Sequence, residues 1–135
     1  MIGLTLEHTN EDIYKALMEG VTYEMKTNLE HLEAFGIHPE KIYATGGGAK
    51  SRVWMQMKAD VLNVPVTALT TSEAGATGSA MLVGVALGLY PSLEAAADKM
   101  VKVREVFQPR PEAHARYEAV YQRYKNLYNA VRPLV

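Results

Sequence analysis

Ile42-Tyr43-Ala44-Thr45-Gly46-Gly47-Gly48-Ala49-Lys50-Ser51-Arg52 is the stretch that decides how this 135-residue chain is read. Lys41 to Thr45 is a short, strand-like run that enters three consecutive glycines. Behind them, Ala49 to Leu62 sets Trp54, Met57 and Val61 on one side, at helical intervals. Asn63 ends that helix, and Pro65 to Leu69 reads as a second strand. Strand, glycine turn, helix, strand with short links implies a parallel pair with a right-handed crossover. The expected fold class is α/β.

Downstream, Thr70-Thr71-Ser72-Glu73 reads as a loop with a helix cap, leading into a helix over 74–89. Ala76, Ala80, Gly84 and Gly88 recur every fourth residue there. Interior glycine costs about 1 kcal/mol against alanine, so this stripe predicts a buried helix packed tightly on a sheet. Ser92 caps a short helix to about Val103, and Gln108-Pro109-Arg110-Pro111 links it to a final helix. Tyr117, Tyr121, Tyr124 and Tyr128 form a stripe on that helix, expected as a packing face.

Upstream, Thr9 and Asp12 have the spacing of a capping box. Ile13, Leu17, Val21, Met25, Leu29 and Leu32 then mark one apolar face of a long helix, with Gly36 as its stop and Pro39 beyond. Ile2, Leu4 and Leu6 alternate as a short strand would.

Composition narrows the function. The chain is 48% hydrophobic and 21% charged, an ordinary globular balance. A net charge of -1 argues against a nucleic-acid or membrane-surface binder. The longest uncharged stretch, 74–90, holds four glycines and is poor for a membrane span of about 20 residues. Met1 to Asn10 lacks the pattern of a signal peptide. With no cysteine there is no disulfide, thiolate zinc site or cysteine nucleophile, which fits a reducing, cytoplasmic setting. His8, His31, His38 and His114 are scattered, and Asp12 and Asp60 sit in helices outside any catalytic motif.

A glycine loop between strand and helix lets backbone approach a ligand, and the helix start offers N–H groups to an anion, most often phosphate. Lys50 and Arg52 add charge at its mouth, and Ser51 adds a hydroxyl. A turn with no ligand is the plain alternative. A Walker loop needs glycine before the Lys-Ser pair, where Ala49 stands. A dinucleotide fingerprint fits Gly46 and Gly48 but meets Ser51 at its third glycine.

Thr45 to Ser51, with Trp54-Met55-Gln56, Ala59-Asp60-Val61-Leu62 and Val64-Pro65-Val66, resembles the C-terminal domain of FGGY-family carbohydrate kinases. Gly3 to Thr9, Glu19-Gly20-Val21, Glu73 to Ala80 and Gly84 to Gly88 resemble the flanking segments. Ser92 to Ala96 and the tyrosine-rich tail resemble xylulokinase-type members, so the likeness covers nearly the whole chain.

The resemblance implies a helix-rich, partial ribonuclease-H-like domain of the actin/hexokinase superfamily with a small, mostly parallel sheet. Residues 1–135 would be the C-terminal nucleotide-binding domain without its first strands, with the final helices over 92–132. It implies a nucleotide site at Gly46, Gly47, Gly48, Ala49, Lys50 and Ser51, and a parent activity of phosphorylating a sugar or polyol, such as the pentulose xylulose, with ATP and Mg2+. The catalytic aspartate, the phosphate-gripping hairpin and the sugar-binding domain lie upstream in the family. The chain alone is thus expected to bind ATP or ADP weakly at most, to turn nothing over, and to need the N-terminal domain for sugar. The family sheet would leave the strand at 41–45 with an open edge, which predicts a homo-oligomer or a repacked N-terminus. A dinucleotide-binding domain and a non-catalytic interaction module remain the alternatives.

Overall fold

A computed structural model describes residues 3–71 and 73–134. The chain begins with a long helix, α1 (Asn10–Ala34). Its start is the expected capping box. Asp12 N–H donates to the Thr9 hydroxyl, and Thr9 N–H donates to the Asp12 carboxylate at 2.9 Å. Gly36 follows its end at φ +80°. Then come β1 (Ile42–Ala44), a 3-10 turn (Gly47–Lys50), α2 (Arg52–Leu62) and β2 (Val66–Leu69). The remainder is α3 (Ala74–Ala86), α4 (Leu93–Met100), β3 (Val103–Phe107), α5 (Pro111–Tyr124), α6 (Leu127–Val131) and a last 3-10 turn.

The sheet order is β1-β2-β3. β1 and β2 are the expected parallel pair, with Ile42 opposite Val66 and Ala44 opposite Ala68. β3 was not expected. It runs antiparallel to β2, so the sheet is mixed, with one parallel and one antiparallel pairing. Helix α4 stops at Met100, and the segment behind it extends because Val106 and Phe107 pair with Thr67 and Val66. Ala49, Met55, Ala59, Val66, Ala68 and Phe107 form the core between the sheet and α2.

A second core joins α1, α2 and α5 through Tyr23, Met57, Val61 and Tyr121. Tyr117 and Tyr124 flank it, so these tyrosines form the packing face read from the sequence, while Tyr128 on α6 is exposed. Asp60 is fully buried beside this core. Its carboxylate accepts from Arg110 Nη2 at 2.6 Å, Arg110 Nε at 3.1 Å, the Arg110 backbone N–H at 2.9 Å and Gln56 at 3.0 Å. Burial pushes that carboxyl up, but the Arg110 and Gln56 hydrogen bonds outweigh it and hold it below the usual carboxylate range. His114 Nδ1–H donates to the Asp60 carbonyl at 2.9 Å, so this histidine is structural.

Three expectations are corrected. Residues 4–9 form no strand, and Ile2 lies outside the described residues. The long helix buries Thr22, Tyr23 and Lys26, keeps only Leu29 and half-buried Met25 of the apolar stripe against a core, and leaves Leu17, Val21 and Leu32 exposed. Its polar residues are buried because they are satisfied. Thr22 donates to the Met18 carbonyl at 2.7 Å, and Lys26 donates to Glu118 and to the Val61 carbonyl. Helix α3 is not buried on the sheet either. It packs on α4, and of its small-residue stripe only Gly84 is covered, under the Tyr90 ring.

Candidate functional site

The glycine loop leaves the C-terminal end of β1, and the loop 70–73 leaves the same end of the adjacent parallel strand β2. Ligands of open parallel sheets gather outside such strand ends. The two loops are tied together. Thr45 donates its hydroxyl to the Thr71 carbonyl at 2.7 Å. The Thr71 hydroxyl in turn accepts from the Glu73 N–H at 3.2 Å and lies 3.2 Å from that of Thr77 on α3. Ser72 lies outside the described residues.

Gly46 makes the turn, at φ +84° and ψ −171°. Only glycine holds that conformation without strain. Gly47 to Lys50 then form the 3-10 turn, closed by Ala49 N–H to the Gly46 carbonyl and Ser51 N–H to the Gly48 carbonyl, each 3.2 Å. Among the described residues the Gly47 and Gly48 N–H groups have no acceptor. The backbone therefore presents two adjacent free donors beside a forced turn.

Helix α2 does not start at Ala49. It starts at Arg52, because Ser51 is extended (φ −80°, ψ 106°) and its hydroxyl accepts from the Trp54 N–H at 3.3 Å. The free donors thus belong to the turn, not to α2. The Ser51 O–H remains able to donate outward.

The other expected residues separate into distinct roles. Ala49 is buried, with its methyl in the sheet–α2 core, its N–H on the Gly46 carbonyl and its own carbonyl held by Arg104. Lys50 is exposed. Arg52 is engaged. It grips Glu105 of β3 in two bonds, Nη2 to Oε1 at 2.5 Å and Nε to Oε2 at 3.0 Å, which raises its pKa further. It is thus not a spare charge for a phosphate.

Four supporting residues escaped the sequence reading. Trp54 is expected only on the apolar side of its helix with Met57 and Val61, but its ring lies under Gly48. A Cβ on Gly48 would stand 3.1 Å from Trp54 Cζ3. Thr22 of α1 accepts the Trp54 indole N–H at 3.1 Å and holds the ring there. Arg104 of β3 donates to the Ala49 carbonyl. Thr71 was read only as loop. Helical spacing placed Trp54 near the loop, whereas the Thr22 and Arg104 contacts cross 32 and 55 residues of chain and have no local signature.

Among the described residues no group of three His, Asp or Glu side chains is placed to hold a metal ion. No described helix is long and apolar enough to cross a membrane.

Comparison with known proteins gives a consistent set. The model of the C-terminal domain of the FGGY family of carbohydrate kinases matches residues 1–87. The chain is 35% identical to a xylulose kinase of Staphylococcus epidermidis over 98% of its own length and 27% of the kinase's. It is 36% identical to a ribulokinase of Halalkalibacterium halodurans, covering 96% of this chain and 24% of that one. The crystal structure of a xylulose kinase from Rhodospirillum rubrum superposes with a TM-score of 0.85 at 30% identity, over 98% of this chain and 27% of that one. A ligand-bound xylulose kinase from Lactobacillus acidophilus gives 0.85 at 27% identity, over 97% and 26%. The chain spans about a quarter of the length of the curated relatives it matches.

Proposed function

The chain belongs to the FGGY family of carbohydrate kinases, and from that premise we propose that residues 1–135 are the C-terminal, nucleotide-binding part of an ATP-dependent sugar kinase. The proposed substrate of the whole enzyme is a pentulose, xylulose first. The identities to a xylulose kinase and a ribulokinase support that class.

The observation that carries the nucleotide reading is the loop itself. Gly46 adopts a conformation costly to any other residue, and the Gly47 and Gly48 N–H groups beside it are left without acceptors. A fold that keeps both features at a strand end, with Gly47 exposed and Gly46 and Gly48 half-buried, offers them to a ligand rich in acceptors, which a nucleotide is. Gly46, Gly47 and Gly48 line it with buried Ala49 anchoring the turn beneath them, Ser51 donates a hydroxyl, and Lys50 adds charge.

Phosphoryl transfer needs positioning and charge neutralisation more than covalent chemistry from the protein. This chain supplies positioning. Among the described residues no group of His, Asp or Glu side chains forms a site for Mg2+. The buried or capping roles of Asp60 and Asp12 leave neither as a base. The chain alone is therefore proposed to bind nucleotide weakly and to turn over no sugar.

Titration of the purified chain with Mg-ATP and, separately, with NADH tests this through Trp54 emission, because the indole lies directly beneath Gly48. ATP is expected to change the emission at millimolar concentration and NADH is not. A response to NADH alone would favour a dinucleotide site, and sugar-dependent ADP release would overturn the expected inactivity.

A further inference from the structure

The pairing of β2 with β3 is irregular at one point. Ala68 lies opposite Glu105, and the next residue, Leu69, lies opposite Val103. Arg104 is the extra residue, a β-bulge. In a regular strand Arg104 would face the side opposite Glu105 and Val103. A bulge re-aims a side chain, and bulges concentrate beside functional sites for that reason. Here Arg104 ends on the same side as Glu105. Glu105 grips Arg52 at the start of α2, and Arg104 donates to the carbonyl of Ala49 in the 3-10 turn.

We propose that Arg104 is the positioning residue of the nucleotide loop. The inference rests on reading that loop as the nucleotide site. The 3-10 turn is only four residues long and begins at a strained corner, so little within it fixes its direction. Arg104 holds its far end by the Ala49 carbonyl. The Ala49 methyl is anchored in the core beneath. With that end fixed, the free Gly47 and Gly48 donors at the near end keep one direction. A charge-assisted bond suits this task because it is stronger than a neutral one. Arg104 makes no ion pair among the described residues, so the carbonyl is the one partner the structure gives its guanidinium there.

The test compares wild type, Arg104→Met and Arg104→Lys in two measurements. The first is amide hydrogen exchange of the nucleotide-free chain. Arg104→Met should speed exchange at Ala49 and Ser51, whose N–H groups close the turn, by roughly tenfold. The amides of Val66 and Ala68 in β2 should keep their protection, which separates a loosened loop from a loosened fold. The second is the Mg-ATP dissociation constant, which should rise by roughly tenfold in Arg104→Met and recover most of that in Arg104→Lys. If β2 protection is also lost in Arg104→Met, Arg104→Gln takes its place.

Unchanged exchange at Ala49 and Ser51 would overturn the positioning role whatever the nucleotide does. Faster exchange with unchanged Mg-ATP affinity would overturn it too, while leaving the nucleotide reading intact. Failure of wild type to bind Mg-ATP at the loop would overturn both together.

Discussion

Gly46→Ala separates backbone strain from every other effect at the loop. A Cβ built on Gly46 meets nothing within 4 Å, so the substitution introduces no clash. It acts only through the backbone, held at φ +84° and ψ −171°. Placing a side chain in that region costs about 1–3 kcal/mol. That energy has two outlets. If the loop keeps its shape, the free energy of unfolding falls by the full amount. If the loop relaxes, the fold recovers part of it, and nucleotide must restore the strained shape on binding. The losses in stability and in binding free energy should therefore sum to about 1–3 kcal/mol. Taken wholly by binding, that is about a 5- to 150-fold weaker Mg-ATP affinity, at 1.4 kcal/mol per tenfold. Urea unfolding gives the first part and Mg-ATP titration the second. Gly47→Ala is the stability control. Its added Cβ is also in open space and its φ is not positive, so its unfolding free energy should stay within about 0.5 kcal/mol of wild type. If Gly46→Ala changes neither quantity, the argument from the strained turn is wrong.

Asp60→Asn should lower unfolding free energy by about 2 kcal/mol in urea melts. That is less than the usual cost of breaking a buried pair, because the Arg110 side chain it abandons is 65% exposed and regains water. The Asp60 carboxyl is held low in the native state, so its contribution is present above about pH 4 and is lost as pH falls through the native value. Acid melts of Asp60→Asn should lack that component, and identical acid profiles would contradict the assignment. Thr22→Val removes the acceptor of the Trp54 indole, so emission should shift and stability should fall by about 1–2 kcal/mol; an unmoved spectrum would show that α1 does not hold the ring. Among the described residues β1 is paired on one side only, at the edge of the sheet, so self-association should appear in size exclusion with light scattering. A monomer independent of concentration would contradict it.

The sequence carried local features well. The Thr9–Asp12 capping box, the parallel pair flanking a glycine turn and the tyrosine packing face all follow from spacing within a few residues. The failures share one cause, which is contact between distant parts of the chain. β3 exists because Val106 and Phe107 pair with β2, and its five residues, with Arg104 and Glu105 side by side, lack the strict alternation that would announce a strand. The buried face of α1 was misjudged because Thr22 and Lys26 find partners in α2 and α5, while Leu17, Val21 and Leu32 find none among the described residues. At the loop, glycine spacing gave the turn, but the free donors expected at the start of the helix belong to the turn itself. Ser51 as the true cap of α2, Arg52 committed to Glu105 and Arg104 delivered by a bulge all depended on tertiary geometry.

The most direct measurement is the amide spectrum of the labelled chain titrated with Mg-ATP to millimolar concentration. The account predicts shifts centred on Gly46 to Ser51, with smaller ones at Thr71 and at the Trp54 indole. Resonances of Gly46 to Ser51 that stay in place at saturating nucleotide would contradict it and leave the glycine loop as a turn alone.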